Sequence, residues 1–208
     1  MFDPAFLLPF LPVFLLALTL HEFAHAWTAW RYGDPTPRLA GRLTLNPLRH
    51  LDPLGTLCLF LAYVGWAKPV PVNPAYFTHR RAELYVSLAG IVANFLQAVG
   101  YALLWHFVPL TAPAALALAW HRFLWLGVLI NLSLALFNLL PLFPLDGAHV
   151  LKHLLPRPQA QRFQAFGQRY GAALLVGLLL VGYVSEVSPL GLLIGVPRDW
   201  LARLLLGV

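Results

Sequence analysis

Charge is scarce in this sequence. Only 11% of its 208 residues are Asp, Glu, Lys or Arg, against about a quarter in an ordinary soluble domain. A chain so poor in charge cannot clothe a globular surface in solvated side chains. That excludes a disordered protein, a nucleic-acid module with a basic face, and a soluble enzyme. Cysteine is nearly absent: Cys58 stands alone inside an apolar run, so there is no disulfide framework and no thiolate metal site. The N-terminus has no basic stretch, its first ionisable side chain being Asp3, and no cleavable signal peptide is expected. No internal repeat and no linker divides the chain, so a single membrane-embedded domain over 1–208 is expected.

What is present is apolar. Hydrophobic residues make up 60% of the chain and the mean hydropathy is +0.71, the composition of a polytopic membrane protein. The run from Pro4 to Trp30 is long enough to span a bilayer as a helix, with Pro9 and Pro12 in its first turns. Leu84–Val108, broken by Pro109, reads as a second span, and Phe123–Leu145, which holds no charged residue, as a third. Gly171–Val184 followed by Leu190–Val196 reads as one broken fourth span or a shorter span plus an interfacial piece, with Glu186 between them. Pro197–Val208 suits a helix lying in the interface. Between the spans, Leu39, Gly41, Leu43 and Leu45 alternate with Ala40, Arg42, Thr44 and Asn46, a period of two that predicts a short strand or hairpin. Leu54–Val64 is apolar but too short to cross, hence re-entrant or buried. Lys68–Asn73, rich in proline, is expected as an extended edge. The fold class is therefore an all-α polytopic membrane protein: a three-helix core over about 5–153, a C-terminal helical segment over 170–208, and short re-entrant or β-hairpin pieces on the cytoplasmic side.

The net charge of +6 fits this reading. Eleven of the fourteen Lys and Arg fall in three loops, 31–49, 68–81 and 152–169. One topology puts all three on the same side, and the excess of positive charge makes that side the cytoplasm, with the N-terminus outside. An inner-membrane, multi-pass protein is expected, in a lipid bilayer and with no nucleic-acid partner.

Inside the first span stands His21-Glu22-Phe23-Ala24-His25, an H-E-x-x-H motif. Residues four apart share a helix face, so both imidazoles can reach one zinc ion with Glu22 beside them. A metal there brings a water's pKa towards about 7, and a carboxylate can take the proton and pass it to a leaving amine. Ionisable groups are costly in lipid, which marks these three as functional. A catalytic zinc needs a third protein ligand and an open position. Asp146, at the end of the uncharged third span, is the leading candidate, and His149 is the other. An Asp-Gly turn at the membrane edge would account for Asp146 alone.

With the motif Asn138-Leu-Leu-Pro141-Leu-Phe-Pro144-Leu-Asp146-Gly147 beside H-E-F-A-H, the sequence resembles the site-2 protease family of intramembrane zinc metalloproteases. Gly41-Arg-Leu-Thr-Leu-Asn-Pro47, Gly65-Trp-Ala-Lys-Pro-Val-Pro-Val-Asn-Pro74 and Ser87-Leu-Ala-Gly-Ile-Val-Ala-Asn94 resemble segments of its compact bacterial members. The resemblance implies one catalytic Zn2+ held by His21, His25 and Asp146, Glu22 as general base, and Asn138 positioning the scissile peptide or its oxyanion. It implies that the segments around Leu43 and around Val70 and Val72 lie as strands near the active site and take an unwound substrate by β-addition. It places Asn94 near the site, for packing or hydrogen bonding there and as a candidate substrate-binding residue alongside Leu43, Val70 and Val72, with Gly90 permitting close helix approach, and offers no role for Asn131. Ala148 and His149 depart from the Gly and Arg that often follow the family's Asp-Gly. No stretch is long enough for an inserted PDZ domain, so a minimal catalytic core acting on membrane-spanning substrates is expected. Two other readings remain: a zinc-binding membrane scaffold without proteolysis, and a small ion transporter, which explains the intramembrane polar residues but not their spacing.

Overall fold

The computed structural model describes residues 4–62, 65–107, 113–185 and 188–208. Asp3, Pro109 and Glu186, and the end of the Leu54–Val64 run, lie outside them. The chain forms α1 (Pro4–Arg31), α2 (Thr36–Leu39), α3 (Pro53–Ala62), α4 (Ala82–His106), α5 (Ala114–Leu139), α6 (Asp146–Leu154), α7 (Arg157–Val184) and α8 (Val196–Leu206). Four of these, over Leu7–Arg31, Ala82–His106, Ala115–Leu139 and Arg157–Val184, are long and apolar enough to cross a membrane. The protein is an all-α polytopic membrane protein.

The long helices form where apolar residues run unbroken, and proline ends them. The residue before a proline is pushed out of the α region: Leu140, before Pro141, takes φ −59°, ψ 133° and stops α5, and Leu155, before Pro156, does the same for α6. The third span therefore ends at Leu139 and not at Leu145, while on its N-terminal side it absorbs the apolar stretch from Ala114. Asp146 does not close that span. It opens the separate helix α6. The Gln/Arg-rich stretch after Pro156 and the apolar run after Gly171 fuse into α7, a single fourth helix.

Helices α1, α4 and α5 pack against one another around Val13, Ala98, Tyr101, Leu124, Val128 and Leu132. The C-terminal helix α8 joins this core through Ala202 and Leu206, and His106 at the end of α4 meets the Leu205 carbonyl. It is thus anchored to the bundle. Leu96, Leu103 and Leu104 on α4 and Leu180 and Val184 on α7 are exposed. Lipid is the solvent that makes such a surface tolerable.

The alternation over 39–46 does not yield a hairpin. Among the described residues the only sheet-like pairing is an isolated bridge between Leu51 and Ala67. Residues 36–39 are helical, and Gly41 turns the chain with φ +67°, a left-handed value that glycine accepts freely. Side chains take the place of a ladder here. His50 Nε2 bonds to the Thr44 carbonyl at 2.8 Å, and Arg42 donates to the carbonyls of Lys68 and Pro69. Lys68–Asn73 is extended but lies outside any sheet. It is pinned at one end by Lys68 N–H to the His50 carbonyl (2.9 Å) and at the other by Asn73 N–H to the buried Asp34 carboxylate (2.7 Å).

Candidate metal centre

Three helices bring the titratable groups together. On α1, His21 and His25 lie one turn apart with their rings edge to face, centroids 4.6 Å apart. Asp146 enters from the first turn of α6, where the helix N-terminus favours a carboxylate. The third contributor is the backbone of α4, which at Gly90 passes directly against the Nε2 edges of both imidazoles. A Cβ there would sit 2.7 Å from His21 Nε2 and closer still to His25 Nε2. Only glycine leaves room for this approach.

The donor atoms converge on one point. His21 Nε2 and His25 Nε2 are 3.0 Å apart, and each lies 3.3 Å from Asp146 Oδ2. His25 Nδ1 sits 2.7 Å from the Val86 carbonyl, which can only accept, so the ring proton is at Nδ1 and Nε2 is bare in the neutral imidazole. His21 Nδ1 lies 2.6 Å from Asn94 Oδ1, which likewise accepts. Asp146 Oδ2 is buried without a hydrogen-bond partner. Three lone pairs crowded together repel unless a cation lies among them. Ligands about 2.0–2.1 Å from a tetrahedral zinc are about 3.3 Å from each other. The observed separations fit that edge length, and the N,N,O donor set is one that zinc accepts.

Glu22 is buried beside the pair and faces Arg42, whose guanidinium Nη2 is 4.0 Å from Glu22 Oε2. Arg42 is itself buried. Burial pushes its guanidinium below the ordinary value and the Glu22 carboxylate pulls it back. Asn138 lines the same cavity from α5, its amide donating to the Leu134 carbonyl at 3.0 Å. The cavity, about 550 Å³, is a groove walled by α1 from Phe14 to His25, by α4 at Val86 and Ser87, by α5 at Leu134 and Phe137, and by the extended segment at Pro69, Val70 and Val72. No backbone hydrogen bond of Val70 or Val72 is made within the described chain.

Three sequence candidates are not among the converging donors. Leu43 is half-buried and is not part of the groove wall. Asn94 is fully buried behind His21 and does not face the groove. His149 lines the groove but turns towards Glu83, its Nδ1 3.5 Å from Oε1, within a cluster completed by Lys152 and His153. Arg42 escapes a reading of the sequence because it counts there only as one loop charge among several. Its signal is a lone cation between Gly41 and Leu43, and its partners appear only once residues 68 and 69 fold back on it.

Residues 104–178 match peptidase family M50. The chain is 40% identical over 196 residues to "Putative zinc metalloprotease YwhC" of Bacillus subtilis, an alignment covering 92% of this chain and 86% of that protein. It is 38% identical over 176 residues to "Putative zinc metalloprotease Rip2" of Mycobacterium tuberculosis, covering 80% of this chain and 64% of the relative. Rip2 of Mycolicibacterium smegmatis is 39% identical over 172 residues, again with 64% of the relative covered. No solved structure matches the chain.

Proposed function

The chain belongs to peptidase family M50 and is a zinc metalloprotease, and from that premise we propose that it is an intramembrane endopeptidase, hydrolysing peptide bonds in or near the transmembrane segments of membrane-anchored substrates. The observation that carries the reading is the convergence of His21, His25 and Asp146 beside Glu22 at the foot of a groove between membrane-spanning helices. Those three side chains would hold one Zn2+, which would supply the Lewis acidity that makes water a nucleophile near neutral pH.

The chain's own residues do the rest. Glu22 takes the proton from the attacking water and delivers it to the leaving amine nitrogen. The Asn138 amide donates to the charge that develops on the scissile carbonyl oxygen. From Phe14 to His25 the groove follows α1 for about 16 Å, room for about five residues of extended chain. Val70 and Val72, the only backbone N–H groups between Lys68 and Asn73, are free to pair with a substrate segment that has left its helix. Pro69 and Pro71 carry no N–H and keep that edge from pairing continuously with a sheet.

Cleavage takes place towards the cytoplasmic side of the inner membrane, the N-terminus being outside. Arg31 lies six positions after His25, about 9 Å along a helix. The exposed Trp27 and Trp30 suit the interface at that end of α1. The centre therefore lies below the membrane surface, and water reaches it through the groove. Such an enzyme fits regulated proteolysis of membrane-tethered proteins.

The test is cleavage of a panel of single-span substrates by purified protein, wild type against Glu22→Gln, with zinc content measured on both. Cleavage by wild type alone, zinc being present in both, is the expected result. Equal cleavage by the two would remove Glu22 from the mechanism. Zinc binding without cleavage of any substrate would favour a non-proteolytic zinc protein.

A further inference from the structure

Asn94 and Asn131 are fully buried, on α4 and α5 respectively. Two primary amides in an apolar bundle need partners for every donor they carry. Their partners form a single file. Asn131 Nδ2 bonds to the Gly127 carbonyl at 2.9 Å. Asn94 Nδ2 lies 3.2 Å from the Ala17 carbonyl and 3.0 Å from Asn131 Oδ1. Asn94 Oδ1 lies 2.6 Å from His21 Nδ1.

The polarity of this file is not free. A backbone carbonyl only accepts, so the Asn131 nitrogen must face Gly127 and its oxygen must face Asn94. The Asn94 nitrogen then has two acceptors, Asn131 Oδ1 and the Ala17 carbonyl, and its oxygen is left for His21. An amide oxygen accepts, so His21 Nδ1 carries the proton and Nε2 is bare. For His25 the same result comes from one backbone carbonyl, that of Val86. For His21 it comes through the Asn94 side chain, whose nitrogen is directed jointly by the Ala17 carbonyl and by Asn131 Oδ1.

We propose that Asn131 is a positioning residue that, through Asn94, holds His21 as the Nδ1–H tautomer with Nε2 presented to the metal. The proposal rests on the metal-centre reading above. It gives Asn131 a task although Asn131 touches neither the groove nor the metal-binding atoms. Asn94 is by the same argument the orienting partner of His21 and not a substrate contact.

Two measurements on the full-length protein in detergent micelles test it. The first needs no metal: 15N spectra of histidine-labelled, metal-stripped protein, with the His21 signal identified by its loss in His21→Gln. The expected result is protonation at Nδ1 in wild type and a mixture of tautomers in Asn131→Leu. The second is zinc affinity by competition with a chelator of known strength. Loss of an outer partner of a metal-binding histidine costs about ten- to a hundredfold, so Asn131→Leu is expected to weaken zinc by that factor. Asn131→Asp, which as a neutral acid keeps an acceptor for Asn94 and a donor for Gly127, is expected to stay near wild type.

A wild-type His21 protonated at Nε2 would overturn the proposal whether or not Asn131→Leu folds. So would a folded Asn131→Leu with unchanged tautomer and zinc affinity. If wild type shows the Nδ1–H tautomer but takes up no zinc, the metal-centre reading has failed and the role proposed for Asn131 towards a metal falls with it.

Discussion

The sharpest mechanical prediction concerns Gly90. An alanine Cβ there would stand 2.7 Å from His21 Nε2, and ordinary contact begins at 3.4 Å. The His21 imidazole must therefore retreat by about 0.7 Å, or the whole helix by more, while a metal site tolerates about 0.2 Å in its ligand distances. His25 Nε2 is displaced as well, since its contact with that Cβ is tighter. Stability should change much less. Alanine gains up to about 1 kcal/mol over glycine inside a helix, and overpacking costs about 1–3 kcal/mol. The net loss is then at most about 3 kcal/mol. Gly90→Ala is expected to stay folded by circular dichroism and thermal unfolding, to bind zinc at least tenfold more weakly in a chelator competition, and to lose cleavage in proportion. Gly100 on the same helix, where an added methyl would meet nothing within 4 Å, provides the control: Gly100→Ala should leave zinc binding and cleavage unchanged. A folded Gly90→Ala that holds zinc with wild-type affinity would refute the claim that the close approach of α4 shapes the centre.

Asp146→Asn should abolish stoichiometric zinc binding, measured by metal analysis after dialysis, because an N–H donor or a neutral oxygen replaces the anion that faces both Nε2 atoms. Arg42→Gln should lower kcat/KM for a membrane substrate by at least tenfold with zinc retained, since the buried guanidinium ties the carbonyls of Lys68 and Pro69 beside Glu22. Arg42→Lys should not restore it, because a single ammonium lacks the planar fork. Asp34→Ala leaves the N–H groups of Thr36 and Asn73 without their partner. Loss of these two bonds should lower the thermal midpoint and speed hydrogen exchange at Asn73. Unchanged exchange there would show that the 68–73 segment is held by its other contacts.

Periodicity misleads in one part of the sequence and composition in another. Residues 39–46 alternate as a strand would, yet an alternating pattern becomes a strand only when a neighbour completes the ladder. Here Gly41 turns the chain away, and Arg42 and His50 satisfy carbonyls that a second strand would otherwise take. Residues 157–170 are polar enough to look like a loop, but a helix needs no apolar face where it leaves the membrane, and α7 simply continues through them. Asp146 looks like the end of a span because the apolar run reaches it. The two prolines before it have already ended α5, and the carboxylate is delivered by the next helix.

What the sequence determined by itself was chemical type and membrane character. Four apolar stretches need lipid whatever their packing, and a helix puts His21, Glu22 and His25 on one turn by its own geometry, because both depend only on local bonds and side-chain solvation. The tertiary structure alone decided how the centre is completed. Asp146 is 121 residues from His25 in the chain, and its Oδ2 reaches both Nε2 atoms only through the packing of α6 against α4 and α5. The Val86 carbonyl and the Asn94–Asn131 pair, which set the protons on the two imidazoles, come from helices whose rotation about their axes is fixed by contacts with α1. Hydrogen bonds a few ångströms long depend on those rotations, and no spacing along a single helix encodes them.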